Sequence, residues 1–433
     1  MIPPAPAPSP DDAFAVVCAA AKLLYANGQT TERTVLNAER FARALGLRVT
    51  VFPTWGELVI RMEAPTASGL ARVEAIAAAP AGVDMNKVTL TLRVIDRVCD
   101  ARPDARMDAA GARKELEAIA GLPPVSALRF VVLAAAGAAA LSVIFGAADL
   151  ATLALVALSA GAGAALRRAL AHVAKNFLAQ PLCAALLAGL IAAAASHLLP
   201  GANLYLVALC PCMVLVPGPH LLNGALDLAH MRIGLGGARF GFAGLIILLI
   251  SVGLIAGLSL GVAGLPAPGP AAPVPLAYDV IAAGIAVAAF GTFFSMPWRT
   301  LPIPIAIGML AHASRWLAIA DGASLAGGAL VACLIAATLV TPIANRLHLP
   351  FAAFAFASVV SLIPGVFLFR MAAGMVALLN AGPAAAPALL LPPIQDGTTA
   401  AAILLAMAFG LILPKMLLER LFPKWAGLSA NQP

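Results

Sequence analysis

The chain has 433 residues, of which 62% are hydrophobic and 11% are charged. Soluble globular domains carry about 25% charged residues, so this composition excludes an ordinary soluble protein and indicates a polytopic membrane protein. The net charge of +7 belongs entirely to residues 126–433, because residues 1–125 hold equal numbers of basic and acidic side chains. Such an excess reports membrane topology, and without basic-aromatic clusters the sequence predicts no nucleic-acid partner.

The first part of the chain predicts a small soluble domain. Residues 1–10 are rich in proline and indicate a disordered tail without a cleavable signal peptide. Residues 11–125 open with two helical patterns, the second ending at Gly46, and continue with two alternating β-branched runs that predict a hairpin. Helical patterns follow at about 69–79, 84–100 and 108–120. We therefore expect an α+β domain with its own core and a regulatory or assembly role.

Catalytic motifs are missing from this predicted domain. The chain has no histidine before residue 172, and it contains no GxSxG, Walker or HExxH pattern. Solvated faces account for the polar candidates, which are Glu32, Arg33, Glu39 and Thr54. A membrane-anchored enzyme is therefore the weakest interpretation, and we expect no enzyme activity, no cofactor and no metal. The pair Cys210 and Cys212 is a weak redox or metal signal and is more typical of small buried side chains.

Ten apolar runs of about membrane length follow Pro123-Pro124. They cover residues 128–148, 150–166, 177–199, 203–222, 240–264, 278–297, 301–320, 324–343, 350–379 and 398–414. Lysine and arginine are concentrated in every second loop, which places both termini in the cytoplasm by the positive-inside rule. Of the basic residues only Arg315 and Arg370 fall toward the outer side. The expected division is a first half at 126–265, a second half at 276–416 and a cytosolic tail at 417–433.

The two halves share an interrupted span. Pro217-Gly218 and Pro364-Gly365 are 147 residues apart, and each pair lies about 13 residues after the start of its apolar run. Five spans are an odd number, so two such copies cross the membrane in opposite directions. Inverted repeats with matched interrupted helices are typical of secondary transporters, which bind substrate and ions where the breaks meet. The abundance of proline and glycine, 34 and 37 residues, leaves a coincidence open.

One stretch carries a motif. PGPHLLNGALDLAHMRIGLGGARF, residues 217–240, has Pro-Gly followed by Asn223, Asp227, Gly237 and Arg239. This order resembles the first half of the threonine/serine exporter family. Three further stretches resemble the same family: ANGQTTERTVLNAERFARALGL at 26–47, PWRTLPIPIAIGMLAHASRW at 297–316 and VVSLIPGVFLFR at 359–370.

The resemblance implies an inner-membrane exporter of ten helices that moves small hydroxy amino acids outward and is driven by the proton gradient. The chain departs from the family's pattern at residues 29–32, where a run of small residues is usual, and at His220. Two-chain members of the family are linked to dicarboxylate export. An exporter of small dicarboxylates such as succinate is therefore the alternative.

An exporter of zwitterions needs partners for a carboxylate and an ammonium group, and a group that carries protons. Half-helix N-termini at the breaks suit the carboxylate, because their free N–H groups carry a partial positive charge. The amide of Asn223 suits the ammonium and hydroxyl groups. Asp227 is the best coupling candidate, because ionisable groups inside the membrane are usually functional. The alternative for Asp227 is a structural ion pair with Arg232 or Arg239.

The remaining polar residues in the spans leave alternatives open. His220 could shuttle protons or only cap carbonyl groups. Arg370 could bind a substrate carboxylate, which would favour the dicarboxylate reading, or extend to the outer surface. Asp279 is expected to cap the outer end of its helix, with a proton carrier as the alternative. His312 could take part in transport, but a satisfied packing histidine is the expectation. Arg315 and Asp321 are expected to pair with each other or with lipid.

The sequence thus predicts an α-helical polytopic membrane protein with about ten transmembrane helices, arranged as two inverted five-helix repeats, and a small N-terminal α+β cytosolic domain. The expected function is secondary export of threonine or serine across the bacterial inner membrane, coupled to protons. Its partners would be the small-molecule substrate, protons and the lipid bilayer. The oligomeric state stays open, a homo-oligomer included. A channel is the alternative from another class of transport, whereas a primary pump would need a nucleotide-binding motif.

Overall fold

A computed structural model gives the architecture of most of the chain. It describes residues 9–63, 72–99, 107–173, 176, 178–199, 201–261, 274–347, 349, 351–379 and 386–422. The start of the predicted tail, most of the linker between the halves and the last eleven residues lie outside the described residues.

Residues 9–120 form an N-terminal unit of four helices and a three-stranded sheet. Its elements are α1 Pro10–Ala26, α2 Thr31–Ala44, β1 Val49–Thr54, β2 Gly56–Met62, β3 Arg72–Ala78, α3 Met85–Cys99 and α4 Ala109–Ala120. Ser9, Thr30 and Asp108 cap α1, α2 and α4 by accepting hydrogen bonds from backbone N–H groups. The helices cover one face of the antiparallel sheet, whose order is β1-β2-β3, and both predicted hairpin strands are confirmed.

The third strand corrects the sequence prediction, which placed a helix at 69–79. Residues Arg72–Ala78 pair along their whole length with β2, with Ile76 opposite Leu58 and Glu74 opposite Ile60. The segment RVEAIAA contains three alanines, so its apolar residues fit a helical period almost as well as an alternating one. Pairing with the second edge of β2 satisfies its backbone groups, and this long-range contact decides the structure.

In the part of the chain that the structure describes, the membrane part consists of twelve α-helices. They are α5 Ala127–Ile144, α6 Leu150–Val173, α7 Ala179–Leu198, α8 Leu204–Met213, α9 Gly218–Ala229, α10 Ile233–Leu258, α11 Leu276–Phe293, α12 Pro302–Ala320, α13 Leu325–Arg346, α14 Phe351–Val359, α15 Gly365–Leu379 and α16 Ala386–Leu421. Within the described residues, eight helices are long and apolar enough to span a membrane, or ten if each bent pair counts as one span. The protein is therefore a polytopic helical membrane protein, as predicted.

Several helix boundaries differ from the sequence prediction: α6 extends to Val173 and not 166, α9 extends to Ala229 and not 222, and two spans begin earlier than predicted. The fifth span begins at Ile233 and not at 240, because the chain leaves α9 through a tight turn at Met231, whose φ is 59°. The last helix begins at Ala386 and not at 398, so most of the predicted outer loop is helical despite Pro392 and Pro393. In both cases the polar or proline residues that indicated a loop lie inside a helix.

The two halves are built from the same contacts. α7 packs against α10 in the first half and α13 against α16 in the second, while α5 and α11, the first helix of each half, pack against each other. The bent pairs also correspond: α8 and α9 meet at 59°, and the second pair, α14 with α15, meets at 54°. A short 3-10 helix, Val360–Leu362, extends α14 to its break.

Both breaks have the same local geometry. The amide of Gly218 donates to the carbonyl of Val216 (2.8 Å), and the amide of Gly365 donates to that of Ile363 (2.7 Å). Pro217, the central residue of the first turn, has φ −79° and ψ 62°, the values of an inverse γ-turn. The turn breaks the helical hydrogen-bond ladder and frees half-helix ends on both sides of it.

The two breaks contact each other. Gly218 lies directly against the side chain of Ile363, which a β-carbon at this position would overlap. Reciprocally, a β-carbon at Gly365 would lie 3.4 Å from Met213 Cγ and 3.5 Å from Val216 Cγ2. Each break thus packs onto the residues that precede the other break.

Close packing of α7 against α10 generates a stability prediction. A β-carbon at Gly257 would overlap the backbone carbonyl of Leu186, whereas nothing lies within 4 Å of one at Gly244 on the same helix. We expect Gly257→Ala to cost about 1–3 kcal/mol through overpacking. Gly244→Ala should be neutral or stabilising, because alanine has the higher helix propensity. Thermal unfolding of both purified variants in detergent measures the difference, and equal midpoints would contradict this packing.

Candidate functional site

The most buried charges of the first half form one ion pair. Asp227 lies near the end of α9, and Arg239 lies on α10, beyond the tight turn that joins these helices. Arg239 Nε is 2.8 Å from Asp227 Oδ2, and the two residues are 1% and 2% exposed. Arg232 Nη1 approaches the other carboxylate oxygen at 3.6 Å. Asp227 therefore has both of the arginine partners that the sequence offered as alternatives.

The N-terminal unit completes this ion pair. Thr31, at the start of α2, donates its hydroxyl to Asp227 Oδ2 (3.0 Å) and accepts from Arg239 Nη2 (3.3 Å). The ring of Tyr25 lies 5.8 Å from the Arg239 guanidinium carbon. Burial raises the pKa of Tyr25 to about 12, so its neutral phenol donates to the carbonyl of Thr54 (2.8 Å). Thr31 was not among the residues selected from the sequence, because its contact with Asp227 joins residues 196 positions apart.

Three consecutive residues of α2 contact the membrane part. Besides Thr31, Glu32 lies 3.6 Å from the ring of His230. Arg33 Nη2 donates to Glu419 Oε1 at 3.0 Å. Glu419, on α16, also accepts from Lys415 Nζ at 3.0 Å. The start of α2 therefore bridges the two halves, with Thr31 on the first half and Arg33 on the second.

A cavity of about 200 Å³ lies between these contacts. Its charged lining comprises four cationic side chains and three carboxylates: Arg33, Arg232, Lys415, Arg420, Glu32, Asp227 and Glu419. Thr30, Thr31, His230 and Asn223 add polar groups, and Leu226, Phe356 and Leu411 are among its apolar residues. The cavity thus presents both signs of charge within a small volume.

Asn223 is the unsatisfied group of this cavity. Its side chain is 2% exposed, and its Oδ1 atom has no hydrogen-bond partner among the described residues. A buried carbonyl oxygen without a partner costs about 1–3 kcal/mol, so a hydrogen bond from a ligand that reaches this atom would recover that cost. Of the nine residues selected from the sequence, Asn223 and Asp227 line the cavity. Arg239 does not line it but donates a hydrogen bond to Asp227.

The other selected residues lie elsewhere. Pro217, Gly218, Pro364 and Gly365 form the two breaks, which contact each other and do not line the cavity. His220 is buried with its ring edge-on to Phe242, at 4.8 Å between centroids.

His220 belongs to the contact with the N-terminal unit. Phe242 faces Trp55 of the hairpin at 5.1 Å, and His220 interacts with the backbone of Ala81. A hydrogen bond from the Met85 amide to the Phe294 carbonyl (2.7 Å) attaches the same unit to the second half. His220 is therefore placed to support docking of the N-terminal unit.

Arg370 also has a local partner. Its Nε lies 3.1 Å from Asp396 Oδ2 on α16, and it interacts electrostatically with Tyr205 on α8. Asp396 was missed from the sequence because it lies in the stretch that was assigned to an outer loop. Within the described residues, no three His, Cys, Asp or Glu side chains come together as a metal site would require.

Comparison with known proteins identifies two matching regions. Residues 15–261 match the model of a family described as "Putative threonine/serine exporter", and residues 279–417 match a second model, described as "Threonine/Serine exporter, ThrE". No curated protein and no solved structure gives a significant match to the chain. Together the two matches cover both membrane halves and most of the N-terminal unit.

The buried pair gives a prediction for stability. Asp227→Asn leaves the Arg239 guanidinium buried without a counter-charge, and we expect a loss of about 3–5 kcal/mol. The double variant Asp227→Asn/Arg239→Gln removes both charges and should recover most of that loss. Unfolding midpoints of the two purified proteins, compared with wild type in one detergent, measure the coupling. If the stability losses of the two single variants simply added in the double variant, so that it was less stable than either of them, the pairing would be contradicted.

Proposed function

Because the chain belongs to the threonine/serine exporter family, we propose that it is a secondary active exporter of small hydroxy amino acids, threonine and serine, driven by the proton gradient. It acts as a transporter and not as an enzyme. The observation that carries the proposal is the charged cavity between the N-terminal unit and both membrane halves, with the unsatisfied Asn223 in its wall.

The distribution of charge supports an orientation for this cavity. Arg232, Lys415 and Arg420 line it, and the loops on the opposite side of the membrane are poor in basic residues. By the positive-inside rule the cavity opens toward the cytoplasm of a bacterial cell, and both termini lie on the same side of the inner membrane. A substrate for export would therefore meet the cavity first.

The chemistry of the cavity suits a small zwitterion. Its volume of about 200 Å³ is below the roughly 300–1,000 Å³ of pockets for drug-sized ligands. An amino acid brings one charge of each sign, which leaves the balance of the surrounding ion pairs unchanged, whereas a dicarboxylate adds two negative charges. The guanidinium of Arg33 or Arg232 would bind the carboxylate, and Asp227 or Glu419 the ammonium group.

The side-chain hydroxyl group of threonine or serine would have separate partners in the cavity. Asn223 Oδ1 can accept a hydrogen bond from this hydroxyl group, and Thr31 lies beside Asp227 at the same end of the cavity. A site that hydrogen-bonds a substrate hydroxyl discriminates strongly against the analogue that lacks it. We therefore expect preference for threonine and serine over valine and alanine.

The N-terminal unit takes part in this function through the start of α2. Substrate that enters the cavity competes for the partners of Thr31 and Arg33, so binding would loosen the contacts that hold α2 on both halves. The contacting breaks provide the joint at which one half rocks against the other during alternating access.

A transport experiment tests the proposal. Cells that express the chain are preloaded with labelled threonine or labelled succinate, with and without a protonophore. We expect threonine efflux to exceed that of cells lacking the protein and to collapse with the protonophore. Asn223→Ala should lower it by about three- to tenfold, the value of one hydrogen bond.

Thr338→Val is the matched control, because Thr338 bonds only to the Leu334 carbonyl of its own helix and does not line the cavity. Its efflux should equal wild type. Efflux of succinate alone would refute the amino-acid substrate, and unchanged threonine efflux in Asn223→Ala would remove the cavity from the pathway.

A further inference from the structure

A second buried polar cluster lies in the other half of the membrane part. Its residues are Asp279 in the first turn of α11, His312 in α12 and Ser361 in the short 3-10 helix before the second break. His312 Nδ1 is 3.1 Å from Asp279 Oδ2, and His312 Nε2 is 2.9 Å from Ser361 Oγ. None of the three lines the cavity described above.

This geometry corrects one sequence expectation. Asp279 makes no cap, since the N-cap of α11 is Pro275 and no side chain caps it. His312 is buried with polar partners on both ring nitrogens, as expected of a satisfied histidine, and one of these partners is ionisable. Asp279 is 2% exposed and His312 is 0% exposed. Burying an ionisable pair this deeply inside a membrane protein is energetically costly. Such pairs are therefore usually functional.

We propose that the Asp279–His312 pair is the proton-binding site of the transporter and that Ser361 passes the proton between this pair and the second break. This inference rests on the proposed function, proton-coupled export, and assigns the coupling to residues outside the substrate cavity.

The hydrogen bonds suit both protonation states of the ring. In the neutral form, Nδ1–H donates to the Asp279 carboxylate and Nε2 accepts from the Ser361 hydroxyl. When Nε2 takes up a proton, it becomes a donor to Ser361 Oγ, and the hydroxyl proton of Ser361 turns to another acceptor. The imidazolium is then balanced by the Asp279 carboxylate, and in the neutral form of the ring this carboxylate accepts the Nδ1–H hydrogen bond and interacts electrostatically with Arg315.

Few other charges reach the pair. Arg315, one turn further along α12, interacts electrostatically with Asp279. α14 and the 3-10 helix contain no ionisable residue, and the only one on α5 is Arg129, which bonds to Thr292 and Met296 near the far end of α11.

On α13, Cys333 faces Gly410 of α16, and Arg346 is at the end of the helix. Asp279 and Arg315 therefore set the charge around His312.

The cluster connects to the contact between the two breaks. Ser361 lines a small space of about 10 Å³ together with Val216, Ile363 and Gly365. That volume is close to the roughly 10–15 Å³ that one water molecule needs. Protonation of His312 changes the hydrogen bond that Ser361 offers, and Ser361 lies three residues before Pro364. In this proposal the proton therefore acts at the contact between the two breaks, whereas the substrate acts at the cavity, which Ser361 does not line.

The test separates proton coupling from substrate transport. Full-length protein is reconstituted in liposomes that hold equal concentrations of labelled threonine inside and outside, and the lumen is made acidic. Wild type should accumulate threonine as protons leave, and it should also exchange labelled for unlabelled threonine without a pH gradient. We expect His312→Gln and Asp279→Asn to lose the accumulation and to retain the exchange, which needs the cavity but no net proton movement.

Ser314→Ala is the matched control, since Ser314 lies on the same helix and bonds only to the Ala311 carbonyl. It should keep both activities. Accumulation by His312→Gln at the wild-type level would overturn the inference, and so would loss of exchange together with accumulation in both variants, which would indicate a structural role only. Absence of threonine accumulation and exchange in wild type would instead refute the proposed function.

Discussion

The arrangement of the molecule depends on the carboxylate of Asp227. It is buried against Arg239, and it accepts a hydrogen bond from Thr31, which comes from a different part of the chain. Removing two charges from water is expensive, and the cost is recovered only when all hydrogen-bonding groups of the pair are satisfied. Because α9, α10 and α2 must all be in place for this to occur, one ion pair fixes the first half, the tight turn and the N-terminal unit relative to each other.

This constraint explains the position of the cavity. The start of α2 lies over the membrane part, with Thr31 on Asp227 and Arg33 on Glu419, and the space left between these contacts is lined by both halves. A substrate that separates the ion pairs would act on both halves at once. The two breaks contact each other, and Ser361, the hydrogen-bond partner of His312, lies beside that contact.

Much of this architecture could be predicted from the sequence. The apolar runs, the Pro-Gly pairs at a common offset and the order Asn223, Asp227, Arg239 are local signals, and the structure contains the corresponding helices and breaks. Element type and helix boundaries were harder to predict. Alanine-rich segments such as Arg72–Ala78 fit both a helical and an alternating period, and prolines inside α16 resemble a loop signal.

The site could be predicted only in part, for a physical reason. Asp227 and Asn223 were selected because polar residues inside a membrane are unusual, and they do line the cavity. Thr31 and Glu419 act through contacts to residues 196 and 386 positions away, and no local pattern distinguishes them from solvated surface residues. The pairing of Asp279 with His312, across two helices, was likewise invisible to periodicity.

The most direct test of the central claim, that the cavity binds the exported amino acid, is protection of a thiol placed in its wall. In a chain whose six cysteines are replaced, Leu226→Cys puts the thiol inside the cavity, and Leu260→Cys, at an exposed position beyond α10, serves as the reference. The rate of labelling of the purified protein is measured with saturating threonine, with succinate and without ligand. The account predicts that threonine alone slows labelling at position 226 and leaves position 260 unchanged. Equal rates at position 226 under all three conditions would contradict it.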